Sequence, residues 1–162
     1  MGKQSSSRVS KNKSVLAPEN LPYQLFLLVQ QMTNRFQTVL RPHGLTPLHW
    51  GILCCLWAED GLKTTEIARR LDQLGGTITV GLDAMVRDGL VERQRSESDK
   101  RVTRVLLTER GRGLRQRLEE AANCLVVQMF SPITPAQYSQ LQGTVNILRK
   151  HLAESLASTS ST

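Results

Sequence analysis

Apolar residues recur at helical spacing through the first part of the chain. Between residues 18 and 40 they fall every three or four positions, which predicts a long amphipathic helix. Thr46 and Pro47 then supply a helix N-cap and a first helical residue, and the helix they open is apolar nearly all round. A third helix is predicted at about residues 64–71, with Arg69 on its outward side.

The segment 77–108 combines a short helix with two strands. Gly89 ends the helix, and two runs with strand character follow at 90–95 and 102–107, separated by a polar turn. The apolar residues of the helix predict one buried face: Ile78, Leu82, Met85 and Val86. A helix followed by a basic hairpin is the order of a winged helix-turn-helix, with the turn at residues 72–76.

Two further helices are predicted after the hairpin. Thr108 caps a long helix that runs to about Phe130, and a capping box at residues 134–137 opens a last helix that frays after Leu156. Both helices carry an apolar stripe, as the first helix does. Because the central unit already has a core, these stripes predict a homodimer in which helices from two chains interlock.

Basic charge is concentrated in two segments. Residues 87–117 hold ten basic and five acidic side chains, and residues 1–17 hold four basic side chains and no acidic one. The whole chain carries a net charge of +7, so the remainder is slightly acidic. A basic run alone would indicate no more than a solvated surface, but beside a helix and a hairpin it indicates double-stranded DNA as the partner.

Other classes of protein lack support in the sequence. A chain of 162 residues can form one good core, or a small domain with helices that need a partner. No apolar run reaches membrane-spanning length and no signal peptide is apparent, so a soluble cytoplasmic protein is expected. The sequence has neither a nucleophile elbow, a phosphate-binding loop nor metal-ligand spacing. We therefore predict no enzymatic activity, no metal and no cofactor.

Five short motifs occur in a fixed order between about residues 21 and 152. They are Leu45-Thr46-Pro47-Leu48-His49-Trp50, Thr77-Ile78-Thr79, Gly89-Leu90-Val91-Glu92-Arg93, Asp99-Lys100-Arg101 and Leu107-Thr108-Glu109-Arg110-Gly111. In this order they resemble the MarR/SlyA family of bacterial dimeric transcriptional regulators. The resemblance implies a mainly α fold with a small β-hairpin wing (α+β) and terminal helical dimerisation regions. It also implies a sequence-specific regulator, most often a repressor, on a palindromic operator.

These predictions divide the chain into five parts. They are a disordered basic tail (1–17), an N-terminal dimerisation helix (18–44), a winged helix-turn-helix domain (45–110), C-terminal dimerisation helices (111–156) and a disordered tail (157–162). The basic tail is either an inert solubilising leader or an arm that lies against phosphates.

The wing motif has a physical explanation. An arginine at a hairpin tip can enter a narrow minor groove, and an aspartate two residues earlier can orient its guanidinium. The resemblance assigns these roles to Arg101 and Asp99, and the alternative is a turn aspartate with a solvated arginine. The complete set of candidate DNA-binding residues is Arg69, Thr77, Thr79, Val80, Asp83, Arg87, Arg95, Asp99, Lys100 and Arg101.

The recognition helix lacks the arginines that relatives commonly carry on the groove-facing side. Val80, Gly81 and Ala84 occupy those positions, and threonines can contact bases without the bidentate grip of arginine on guanine. We infer that affinity rests on phosphate and minor-groove contacts, and so on A·T-rich shape. Gly81 indicates either a close approach of the backbone to DNA or sequence drift.

The resemblance also implies release from DNA by a small aromatic acid or by cysteine oxidation. Arg35, His49 and Trp50 are the candidate ligand-binding residues, and Cys54 and Cys124 are the candidate redox residues. Buried, inert cysteines are the favoured interpretation, with an intersubunit disulfide as the alternative for Cys124.

A competing hypothesis for the whole chain is a winged-helix protein-interaction module with weak or no specific DNA binding. Salt dependence and the effect of Arg101→Ala separate the two hypotheses, because a protein-binding module should tolerate that substitution.

Overall fold

The computed structural model describes residues 19–95 and 103–159, with side chains as far as residue 155. Its helices are α1 (Leu21–Leu40), α2 (Pro47–Ala58), α3 (Thr64–Leu71), α4 (Gly75–Arg87), α5 (Glu109–Gly113), α6 (Arg115–Phe130) and α7 (Pro135–Thr159). Its strands are β1 (Leu62–Lys63), β2 (Val91–Arg95) and β3 (Thr103–Leu107). A mainly helical fold with a small antiparallel sheet confirms the predicted fold class. The predicted basic tail, residues 1–17, and the tip of the hairpin lie outside the described residues.

The described residues form two compact units, and the boundary between them follows Ala121. The first unit has its core around α2, which is buried on several sides as its composition predicts. Side chains from α2, α3, α4, the sheet and the residue before β2 fill this core and are almost inaccessible to solvent: Ile52, Leu53, Leu56, Ile67, Ile78, Leu82, Met85, Leu90 and Val105. This packing fixes α4 against the rest of the winged domain and leaves its other face outward.

Local signals set several helix ends where the sequence predicts them. The Thr46 hydroxyl accepts a hydrogen bond from the His49 N–H (3.2 Å), and this closes the first turn of α2. Before α7, the N–H of Thr134 donates to the side chain of Gln137 (2.8 Å), which confirms the capping box. Gly89 follows α4 with φ +66, the left-handed conformation that favours glycine.

The sheet has three strands in the order β1-β3-β2, all antiparallel. The hairpin pairs Val91 with Leu107 and Arg95 with Thr103, as the two predicted strand runs require. The third strand is new, because β1 comes from the connection between α2 and α3 and pairs Leu62 with Val105. A two-residue strand has no pattern of its own, so only its partner reveals it.

The long helix predicted from Thr108 to about Phe130 is wrong. The structure divides it into α5 and α6 at Leu114. Thr108 is still an N-cap, since its hydroxyl accepts from the N–H of Gly111 (3.1 Å) and donates to the carbonyl of Gly89 (2.7 Å). Two glycines within the five residues of α5 weaken a continuous helix.

Two other boundaries and one burial prediction also need correction. Helix α4 begins at Gly75, so the two glycines assigned to the turn form its first turn. Val86, predicted to be buried, is exposed. Helix α7 continues to Thr159, past the predicted end at Leu156.

In the second unit, the rings of Phe130 and Tyr138 pack edge to face across the α6–α7 connection. None of the helices in the described residues is long and apolar enough to span a membrane.

Candidate nucleic-acid interface

Helix α4 presents one face to solvent beside the hairpin. Its opposite face, with Ile78, Leu82 and Met85, is fully buried. At 100° per residue, the point opposite this buried face is Val80, which is 71% exposed. The other exposed positions predicted to contact DNA on this helix are Thr77, Thr79, Asp83 and Arg87. The structure therefore brings the candidate residues of α4 to the outward side of the domain.

An ion pair joins this helix to the wing. Arg93, on β2, lies 2.7 Å from the Asp83 carboxylate and also donates to the main-chain carbonyl of Thr79 (3.4 Å). The negative charge of Asp83 is therefore compensated from the hairpin. Our sequence prediction missed Arg93 as a site residue, because the residues of this pair are ten positions apart and belong to different elements.

Most arginines near this surface have partners inside the protein. Arg69, predicted to contact DNA, lies 2.6 Å from Glu66, and Arg70 pairs with the same carboxylate. Hydrogen bonds from these two arginines lower the pKa of Glu66 to about 2. Within the part of the chain that the structure describes, Arg87 and Arg95 form no ion pair. These two are the cations with most freedom to meet a polyanion.

The proposed tip of the wing lies outside the described residues. Arg95 and Thr103 form the last strand pair before it. Asp99, Lys100 and Arg101 therefore belong to the connection between two strands whose register is set, and their roles stay predictions from the sequence.

Gly81 does not belong to the outward face. It is buried, and a Cβ atom there would lie 3.0 Å from Cδ2 of Leu48 and 3.4 Å from Cδ1 of Ile52. The missing side chain allows α4 to pack closely on α2. Placing Gly81 on the groove-facing side was wrong, and the close approach it permits is to α2 and not to DNA.

The three residues predicted to bind a ligand lie in different surroundings. Trp50 lines an open groove of about 320 Å³ between α1 and α2, with Val29, Met32, Thr33, Phe36 and Pro47. His49 is buried; its Nδ1 accepts from the N–H of Thr46 (3.4 Å), and burial lowers its pKa. Arg35 is exposed and is not among the residues that line the groove.

The cysteines differ in exposure. Burial raises the pKa of Cys54 to about 11 and also raises the pKa of Cys55. Both thiols are therefore protonated near neutral pH, which disfavours oxidation through a thiolate. Cys124, in the second unit, is exposed. Among the described residues, no three His, Cys, Asp or Glu side chains are grouped to hold a metal ion.

Comparison with known proteins shows which family has these features. The MarR family model matches residues 45–103, which include α2, α3, α4 and β2. Over 106 residues, the chain is 34% identical to the HTH-type transcriptional regulator TtmR of Methylorubrum extorquens. The chain belongs to the MarR family. That alignment covers 63% of this chain and 54% of TtmR, so the chain spans about half the length of this relative.

Solved structures of DNA-bound proteins share the fold. The transcriptional repressor CouR, bound to a 23-mer DNA duplex, is 28% identical with a TM-score of 0.71, covering 86% of this chain and 99% of CouR. A MarR mutant from E. coli, complexed with operator DNA, has a TM-score of 0.78 at 20% identity, covering 85% of this chain and 99% of that protein. The second likeness shows the fold alone.

Proposed function

We propose that this MarR family protein is a transcriptional regulator that binds double-stranded DNA. Helix α4 enters the major groove, and the wing between β2 and β3 lies against the adjacent minor groove. The observation that carries the proposal is the position of α4, with one face packed on the core and the other exposed beside the hairpin. The DNA-bound structure of the similar CouR supports this assignment.

We further propose that the protein acts as a homodimeric repressor on a palindromic operator. Exposed apolar side chains on α1 support the dimer: Leu21, Phe26, Leu28 and Val29 are between 46% and 65% exposed. Helix α7 has a second such set in Tyr138, Leu141, Val145, Ile147, Leu148 and Leu152. A second copy of the chain would cover both sets, in agreement with the predicted dimerisation segments 18–44 and 111–156. Two recognition helices would then contact sites about 10 base pairs apart.

The first experiment titrates the protein against DNA from upstream of its own gene at two salt concentrations. We expect tight binding that weakens with salt, and a large loss of affinity in Arg101→Ala. Arg117→Ala is the matched control, because Arg117 is an exposed arginine on α6 that has no ion pair in the described residues. Equal losses in the two variants would contradict a specific role for Arg101.

A protein-interaction module is the second candidate function, and the apolar character of the α4 surface favours it. Leu74, which precedes the helix, is 81% exposed, and Val80 also faces solvent. An apolar surface of this kind also suits a protein partner. Failure of the chain to bind any upstream DNA at either salt concentration would favour this candidate over the regulator.

Release by an aromatic acid is supported better than release by oxidation at Cys54. The groove beside Trp50 is mostly apolar and includes the ring of Phe36, whose centroid lies 6.4 Å from that of Trp50. Benzoate should therefore weaken DNA binding by the wild type and have less effect on Trp50→Ala. Hydrogen peroxide should affect the wild type and Cys54→Ser equally, whereas Cys124→Ser tests the exposed thiol.

A further inference from the structure

Val80 occupies the centre of the exposed face of α4. Thr77 and Ala84 lie on either side of it along the helix, and Arg87 follows two turns later on nearly the same line. Val80 is 71% exposed, so its two methyl groups would contact any partner that binds this face of the helix.

Two of the polar groups next to Val80 are already engaged. The carboxylate of Asp83 pairs with Arg93, and the hydroxyl of Thr79 donates to the carbonyl of Gly75 (2.9 Å). A helix that recognised bases mainly through hydrogen bonds would need free donors and acceptors at these positions. The middle of this face instead offers an apolar side chain.

We propose that Val80 is a specificity-determining residue that contacts the 5-methyl group of thymine in the major groove. The inference rests on the proposed function, because it requires α4 to lie in that groove. Among the base edges exposed there, thymine presents an apolar group, and the other positions present hydrogen-bond donors and acceptors. An exposed valine gains free energy by burying its methyl groups against the thymine methyl group. Packed against a polar base edge, the same valine would leave that edge without a hydrogen-bond partner.

Deoxyuridine provides the test, since it differs from thymidine only by the missing 5-methyl group. Duplexes are selected from a random pool with the wild-type protein, and each thymine is replaced in turn. At one position in each half-site, we expect affinity to fall about fourfold, from about 0.8 kcal/mol for one buried carbon group. Val80→Ala should bind the thymine and uracil duplexes with nearly equal affinity.

Val127→Ala is the matched control. Val127 is 70% exposed, lies on α6 outside the winged domain and undergoes the same chemical change. This variant should keep the wild-type preference for thymine over uracil. Because the measured quantity is a ratio of affinities for two duplexes, a general loss of stability or of binding does not imitate the expected result.

Each other outcome has a distinct meaning. If the wild type binds in a salt-dependent manner but tolerates uracil at every position, the role of Val80 is refuted and the proposed function stands. If Val80→Ala keeps the wild-type ratio, another residue contacts the methyl group, and the inference is again refuted. If no duplex is bound in a salt-dependent manner, the proposed function fails together with the inference.

Discussion

Replacement of Gly111 by alanine should strongly destabilise the winged domain. A Cβ atom there would lie 2.1 Å from the carbonyl oxygen of Leu90 and 3.2 Å from Cδ2 of Leu107, so α5 would have to move away from the sheet. The movement would strain two hydrogen bonds. One runs from the indole N–H of Trp57 to the carbonyl of Gly111 (3.1 Å), and the other runs from the main-chain N–H of Gly111 to the hydroxyl of Thr108 (3.1 Å). Overpacking costs about 1–3 kcal/mol and each hydrogen bond about 1 kcal/mol, so we expect a loss of about 3 kcal/mol or more.

Gly113 provides the control within the same helix. A Cβ atom at Gly113 would have no neighbour within 4 Å, so alanine there should be neutral or should stabilise the protein by up to about 1 kcal/mol. Urea unfolding of both variants, followed by circular dichroism at one protein concentration, measures the difference. Similar stabilities for Gly111→Ala and Gly113→Ala would refute the steric argument.

Three further substitutions test other contacts. Arg93→Ala should weaken DNA binding because it leaves the Asp83 carboxylate unpaired, and Asp83→Asn in the same chain should restore part of the affinity in a titration. His49 has a lowered pKa, so it stabilises the fold above pH 6.5 and loses that contribution as pH falls and its Nδ1 is protonated. His49→Gln, which keeps a capping acceptor, should reduce the change in melting temperature between pH 7 and pH 5. Asp60→Ala should cost about 2–3 kcal/mol in urea unfolding, because its carboxylate accepts two main-chain N–H groups and pairs with an arginine.

Several helix boundaries were predictable because their signals are local. The pairs Thr46 with Pro47 and Thr134 with Gln137 each determine a helix start within four residues of sequence. Gly89 marks the end of α4 for the same reason, since only the local backbone requires its left-handed conformation. Periodicity likewise predicted which face of α4 is buried, apart from Val86 at the edge of that face.

Features that depend on distant partners could not be predicted in this way. Strand β1 exists because Leu62 meets Val105, more than forty residues later. The role of Gly81 depends on its contact with Leu48 in a different helix. The sequence does not show that contact, so it does not show whether Gly81 is buried or exposed. The groove beside Trp50 is a property of packing between two helices, so the sequence suggested Trp50 but could not exclude Arg35.

The distribution of charge in the sequence overstates the positive charge available to DNA. Three of the ten basic residues between 87 and 117 pair with carboxylates outside that segment: Arg93 with Asp83, Arg112 with Asp60 and Arg115 with Glu119. Affinity for DNA falls with salt with a logarithmic slope of about −0.9 for each phosphate neutralised, so ten contacts per chain would give about −9. The seven remaining basic residues would give a slope of about −6 per chain at most, which titrations across a salt series measure. A slope near −9 would mean that the internal ion pairs open on DNA, and that the structure of the free protein does not describe the bound surface.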